Sequence, residues 1–392
     1  MPETDVRPQH AGQTLTEPWL SWQRQRHPAQ LLHLDTAAAG RYSSATLRAT
    51  AEHAEREAAR GAYVAEAEAQ PLLEAGRADL ARMLGVPAAG VAFVESATAA
   101  LAKLLTAWPL RPGDRVAVLP SEWGPNLAAF GHAGLELVPL PAHPDGVIDL
   151  AAAEPLLADS PPAFVHITQV ASHRSLVQPV AEIAAACHTH QVPLWVDVAQ
   201  TLGHTDTACG ADVQYGTGRK WLTGPRGVGM LAVAEEHWDR LRPRTSPMEL
   251  AAMPGASPVR YLESHEAHVP GRVGLCAALQ EYLAAGPERV WARLAEVGSL
   301  TREALRDVPG WAVLEPAGAP SAITALRATA GQDVRASRGW LLAEHGIVTT
   351  AAGVQRAPGE MTGPLLRVSP HVDCTAVDLA RLRDALAAAP TG

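Results

Sequence analysis

The sequence predicts an α/β protein: a mainly parallel sheet of seven strands covered by helices on both faces, followed by a smaller α+β domain. Two observations carry this. Seven short apolar runs recur between residues 91 and 233, and alanine-rich runs of helical length separate most of them. Strand–helix alternation at that spacing suits parallel pairing, because a parallel crossover needs a dozen or more residues and lays a helix on the sheet. After residue 258 the order changes to long helices followed by short strands.

Residues 1–30 are polar and weakly patterned, and are expected to form an arm that packs with the small domain. Strands are expected at 91–95, 115–119, 136–140, 163–167, 193–196, 213–215 and 227–233, where short apolar runs are bounded by turn residues. Helices are expected between them at 97–107, 124–133, 151–158 and 180–190. Residues 243–258 turn rich in proline and methionine, which places a boundary between a large domain, 31–255, and a small one, 256–392. In the latter, helices are expected at 274–285, 287–305 and 377–388, with strands near 322–326 and 365–368.

Composition narrows the function. The net charge of −9 argues against a nucleic-acid or anionic-membrane surface. No apolar run is long enough to span a bilayer, and the first residues, MPETDVRPQHAG, contain no apolar stretch of a secretory leader. The four cysteines, Cys187, Cys209, Cys276 and Cys374, form no CxxC pair, which fits reduced thiols in a cytoplasm better than disulfides or zinc. The sixteen histidines show no metal-ligand spacing, so no metal is expected.

The chemistry is carried by a few residues at expected strand ends, where open α/β sheets place ligands. Lysine occurs only at 103 and 220, against thirty arginines. Lys103 sits in a plain helical stretch, whereas Lys220 sits in a run dense in glycine and hydroxyls, Tyr215-Gly-Thr217-Gly-Arg219-Lys220. An amine can form a Schiff base and a guanidinium cannot. Glu95-Ser96-Ala97-Thr98, between a strand and a helix, offers backbone N–H groups and hydroxyls to an anion, although such a sequence also serves as an ordinary helix cap. Asp197, in Trp195-Val-Asp197-Val-Ala-Gln200, is a carboxylate after a buried strand and calls for a positive partner or a capping role. Arg367, in Leu366-Arg367-Val368-Ser369, could clamp a carboxylate with two parallel hydrogen bonds or form a surface ion pair.

In this order and spacing, the features resemble the class V aminotransferases of pyridoxal-phosphate fold type I, a family that includes cysteine desulfurases, selenocysteine lyases, kynureninase and isopenicillin N epimerase-like proteins. The resemblance runs from His33-Leu-Asp35-Thr-Ala-Ala-Ala39 to the last helix and includes Ser172-His-Arg-Ser-Leu-Val-Gln-Pro-Val180 and Gly224-Pro-Arg-Gly-Val-Gly229. It implies a pyridoxal 5′-phosphate cofactor, a small amino-acid substrate and a homodimer with its active site at the subunit interface. Lys220 then resembles the Schiff-base lysine, Asp197 the partner of the pyridinium nitrogen, and Gln200 the residue at the cofactor's phenolic oxygen. Ala97, Thr98, Thr217 and Arg219 resemble the phosphate cradle, with Arg219 where the family often has histidine. Trp123 stands where an aromatic ring stacks on the cofactor, Ser172 where asparagine often lies beside it, and Arg367 where the substrate carboxylate is held.

Two departures shape the expected reaction. Desulfurases of the family carry a mobile cysteine before the distal arginine, yet residues 346–359 contain none and Cys374 follows the arginine. Where the family often sends Gly-Thr to the neighbouring subunit's phosphate, this chain has Ser264-His265-Glu266, whose carboxylate would repel it. The resemblance therefore points to β-elimination from a cysteine S-conjugate, as in the C–S lyases of ergothioneine biosynthesis that act on hercynylcysteine sulfoxide. Trp221, Tyr63 and Glu266 are candidates for the trimethylammonium group of such a substrate. The rival readings are an isopenicillin N epimerase-like or other amino-acid epimerase or lyase and, remotely, a non-catalytic regulator that binds the cofactor.

Overall fold

The computed structural model describes residues 15–244, 246, 248, 251 and 253–389. The first part of the expected arm, residues 1–14, and parts of the 243–258 stretch lie outside the described residues.

Strands β1 Leu32–His33, β2 Val91–Val94, β3 Arg115–Val118, β4 Glu136–Pro139, β5 Phe164–Thr168, β6 Leu194–Asp197, β7 Val213–Thr217 and β8 Gly229–Val233 come first along the chain. They alternate with helices α1 Trp19–Arg24, α2 Ser44–Arg60, α3 Ala62–Leu84, α4 Ala97–Ala107, α5 Gly124–His132, α6 Leu150–Asp159 and α7 Val180–Thr189. The central sheet has seven strands in the order β2-β8-β7-β6-β5-β3-β4. β8 runs antiparallel to both its neighbours and the other pairs are parallel. β2, β5, β6, β7 and β8 are buried along their whole length, as expected for a sheet covered on both faces. Two hydrophobic clusters flank it, one containing Ile167, Val196 and Met230 and the other Val116, Trp195 and Leu231.

The small domain has a four-stranded antiparallel sheet, ordered β12-β13-β10-β9, made from β9 Trp311–Val313, β10 Thr324–Ala328, β12 Thr350–Ala352 and β13 Leu365–Val368. β11 Ile347–Val348 pairs in parallel with β1, and Asp35 bridges Ser369, so residues 32–35 join this part of the molecule. Leu34 accordingly packs in the same cluster as Leu326, Leu366 and Val368. Helix Val269–Ala285, by contrast, packs on α2 and α3. A Cβ at Gly76 would meet Cys276 Sγ at 2.3 Å, and one at Gly274 would meet Thr50 Oγ1 at 2.2 Å. Small residues at these two crossings let the helix backbones approach.

α2 and α3 were not expected from periodicity. α2 buries only Thr46 and His53, and the face that α3 buries mixes alanines and leucines with Gly76 and Arg77. α2 has no apolar stripe to read, and the stripe of α3, Ala65, Ala69, Leu73, Leu80 and Leu84, is interrupted by Gly76 and Arg77. α1 and the residues after it tie distant parts of the chain together: Trp22 stacks on His371 with ring centroids 5.2 Å apart, and Arg26 pairs with Glu281 at 2.8 Å and donates to Thr223 Oγ1 at 3.0 Å. Among the described residues, no helix is long and apolar enough to cross a membrane.

Candidate active site

Parallel pairing brings the C-terminal ends of β5, β6 and β7 to one edge, where Thr168 lies opposite Asp197 and Asp197 opposite Tyr215. The N-termini of α4 and α5 reach the same edge. A cavity of about 220 Å³ opens there, lined by Ala97, Thr98, Trp123, Ser172, Asp197, Gln200, Thr217, Arg219 and Lys220. These nine sequence-predicted residues span more than 120 positions and meet in one place. Ser96, Asn126, Thr168 and Arg356 line it as well.

Each side chain is held from behind. Ser96 caps α4, its side chain accepting from Ala99 N–H at 3.1 Å, which leaves the first N–H groups of the helix directed at the cavity. Gly40 N–H donates to the Arg219 carbonyl at 2.8 Å, and a Cβ at Gly40 would lie 2.4 Å from the Lys220 carbonyl, so residues 38–40 can press on the lysine loop only with glycine there. Thr223, with φ 53°, closes that loop by donating its N–H to the Lys220 carbonyl at 3.0 Å. Trp221 is fully buried. Its Nε1 donates to Gln200 Oε1 at 2.9 Å, its ring stacks on His204 at 3.8 Å, and its carbonyl faces His371 Nε2 at 3.1 Å. Gln200 Nε2 donates to the Ala37 carbonyl at 2.9 Å, which fixes the amide over the cavity.

The electrostatics favour a neutral amine at the lysine. Burial lowers the Lys220 ammonium to about 7, with Asp197 opposing that shift and Arg219, Arg367 and Arg356 adding to it. Burial pushes the Asp197 carboxyl above its ordinary value, against the pull of Lys220, the Ala199 N–H and Asn126. Asn126 Nδ2 donates both to Asp197 Oδ2, at 3.1 Å, and to Glu122 Oε1, at 2.9 Å. Glu122 is fully buried. Burial raises its carboxyl, but His166, with donors from Thr168 and Asn126, outweighs that and leaves it below the ordinary value. His166 lies 2.9 Å from Glu122 Oε2 through Nδ1 and 2.7 Å from the Tyr215 hydroxyl through Nε2. Tyr215 stays protonated, pushed up by burial, Asp197 and Glu122. A completely buried polar file thus backs the aspartate.

Arg367 differs from the other predicted residues. It is fully buried, does not line the cavity, and already donates to Asp35 Oδ1 at 2.8 Å and to the Ser172 carbonyl at 2.7 Å. Its Nε and the Ser172 hydroxyl are buried without hydrogen-bond partners. The candidates for a trimethylammonium group do not reach the cavity. Trp221 is sealed beneath it, while exposed Tyr63 approaches Glu266 at 3.5 Å beside a separate cavity that Ser264 and His265 also line.

No cysteine lines the cavity. Burial raises the thiols of Cys187 and Cys276 to about 12, and that of Cys374 well above its ordinary value. An amine, a buried carboxylate and an anion seat share this cavity, and no reactive thiol does.

Comparison with known proteins gives the chain's family. The family pattern described as Aminotransferase class-V matches residues 32–382. The chain is 48% identical, over 97% of its length and 94% of the relative's, to a Mycobacterium tuberculosis (strain CDC 1551 / Oshkosh) protein named "Probable hercynylcysteine sulfoxide lyase". It is 30% identical to the isopenicillin N epimerase of Amycolatopsis lactamdurans, over 81% of this chain and 84% of that one. The apo structure of a cysteine desulfurase from Thermococcus onnurineus NA1 superposes with a TM-score of 0.81 at 20% identity, covering 91% of this chain and 94% of that chain. The chain belongs to the class-V aminotransferase family, a family of pyridoxal-phosphate enzymes.

Proposed function

We propose that this chain is a pyridoxal-phosphate-dependent carbon–sulfur lyase that cleaves hercynylcysteine sulfoxide in ergothioneine biosynthesis, releasing a sulfenic acid, pyruvate and ammonia. The observation that carries the reading is Lys220 facing Asp197 across a cavity with no thiol, in a chain 48% identical to a protein named for this activity. A desulfurase mechanism needs a sulfur acceptor, and β-elimination does not.

The residues present fit the cofactor. The open N–H groups at Ala97 and Thr98, with Thr217 and Arg219, offer the donors a phosphate needs. Asp197 suits a protonated ring nitrogen, Gln200 a phenolic oxygen and Trp123 an aromatic face. Two buried donors without partners, Arg367 Nε and Ser172 Oγ, suit the α-carboxylate of an amino acid.

Once bound, the cofactor supplies a sink for the electron pair left when a Cα–H bond breaks. Lys220 would hold the cofactor through its aldehyde carbon. As a free amine it would take the Cα proton, a task for which its lowered proton affinity suits it. Asp197 would hold a proton on the cofactor's ring nitrogen, and the Glu122–Asn126 pair keeps Asp197 aimed. Arg367 orients the substrate so that the Cα–H bond faces Lys220. The Cβ–S bond then breaks, the sulfur leaves with its oxygen as a sulfenic acid, and hydrolysis of the three-carbon remainder gives pyruvate and ammonia.

The same reading includes a homodimer in a cytoplasm and a division into arm, 1–30, large domain, 31–255, and small domain, 256–392. The Trp22–His371 stack supports the arm's contact with the small domain, and helix Val269–Ala285 serves as the connector between the two cores. The test is pyruvate release from hercynylcysteine sulfoxide. Pyruvate at one equivalent per substrate consumed is expected. Inversion at Cα without pyruvate would favour the epimerase reading instead, for which the 30% identical relative is the support.

A further inference from the structure

One guanidinium at the cavity wall has no hydrogen-bond or ion-pair partner among the described residues. Arg219 stands at the phosphate side and donates to the Ala38 carbonyl. Arg367 is neutralised by Asp35 and keeps only its Nε unpartnered. The remaining guanidinium is Arg356. It lines the cavity, and among the described residues it has neither a hydrogen bond nor an ion pair. It stands over the Trp123 ring, 5.4 Å from the centroid. A guanidinium left unpaired in a half-buried place is costly unless an anion arrives. Burial and then neighbouring Arg367 lower it to about 10, so it remains a cation at neutral pH.

The turn that carries Arg356 is fixed. Val354–Arg356 is a single 3-10 turn packed on the start of α5, where a Cβ at Gly124 would lie 2.0 Å from the Gln355 carbonyl. On its other side, a Cβ at Gly359 would lie 2.9 Å from the Pro120 carbonyl. Glycine at both positions lets the turn sit directly against the segment that holds Trp123. The backbone that carries Arg356 is therefore held at the cavity wall, which keeps its side chain within reach of a bound anion.

We infer that Arg356 is a specificity-determining residue: it binds a second carboxylate, in the part of the substrate that leaves with sulfur. The inference rests on the carbon–sulfur lyase reading and deepens it. A hercynylcysteine-type substrate carries a carboxylate on each of its two amino-acid halves. Arg367 with Ser172 matches the one on the reacting half, and Arg356 matches the other through a charge-assisted, forked contact. The stretch 346–359, where a desulfurase would carry its thiol, here supplies a cation for the leaving group.

The test compares two synthetic conjugates of similar length, S-(2-carboxyethyl)-L-cysteine sulfoxide and S-butyl-L-cysteine sulfoxide, with holoenzyme of wild type, Arg356→Gln and Arg356→Lys. Wild type should release pyruvate from both and favour the carboxylated one. In Arg356→Gln that preference, as a ratio of kcat/KM, should fall by about ten-fold or more, through KM rather than kcat, with cofactor absorbance retained. Arg356→Lys should recover part of it. An unchanged preference in both variants, or equal losses on the two conjugates, would overturn the role of Arg356 while leaving the lyase reading intact. No pyruvate from either conjugate or from hercynylcysteine sulfoxide in wild type would sink the lyase reading itself, and the inference with it.

Discussion

Asn126 donates a hydrogen bond to Asp197 at 3.1 Å across the gap between the start of α5 and the end of β6. The same amide nitrogen serves Glu122 at 2.9 Å, so its two protons satisfy two buried carboxylates. Removing it leaves both short of a donor at a site where unsatisfied groups are expensive. Asn126→Ala should therefore weaken cofactor binding about ten-fold or more and lower the melting temperature. Equilibrium titration of the apoprotein with pyridoxal phosphate measures the first effect. Wild-type affinity in the variant would show that Asp197 needs no such support.

Acid sensitivity follows from two buried histidines. Burial lowers His204 to about 3 and His371 to about 4. Both then stay neutral in the fold while the unfolded chain protonates near its ordinary value of about 6.5. The unfolded state binds more protons between those limits, so stability is present above about pH 6.5 and is lost as pH falls towards 4. His371→Asn should flatten part of this loss in urea denaturation followed across that range. A variant with the same pH slope as wild type would contradict the assignment.

Lys220 makes the apoprotein respond to base. Its folded value of about 7 lies below the ordinary lysine value of 10.5, so the unfolded chain binds the extra proton between them. Stability of cofactor-free wild type should therefore rise as pH increases from about 7 towards 10, and Lys220→Met should lack that rise. Thermal denaturation of both apoproteins is the measurement. Parallel curves would mean that the amine is not buried.

Much of the site was legible because its parts sit at strand ends and carry distinctive chemistry. A scarce lysine among hydroxyls, a carboxylate after an apolar strand and a capped helix start are local patterns, and the fold gathers them. Asn126 and His166 carry no such pattern. Each acquires its role from a neighbour on another element, Asp197 or Glu122, which only the folded sheet supplies. Arg356 was visible only as part of a stretch read for its missing cysteine, and its unpaired state depends on where every other charge ends up. Arg367 was legible as a strand-end arginine, but its pairing with Asp35 joins residues 332 positions apart. Tyr63 and Glu266 illustrate the reverse: chemistry suited to a cation, placed by the fold at a different cavity. Helix α2 escaped periodicity because it buries Thr46 and His53 instead of an apolar stripe, and α3 because Gly76 and Arg77 interrupt its row of alanines and leucines.

With only two lysines in the chain, the attachment point can be decided chemically. Borohydride reduction of the holoenzyme followed by peptide mass mapping should find the pyridoxyl group on Lys220 alone. A label on Lys103, or a coloured enzyme that yields no lysine adduct, would contradict the account.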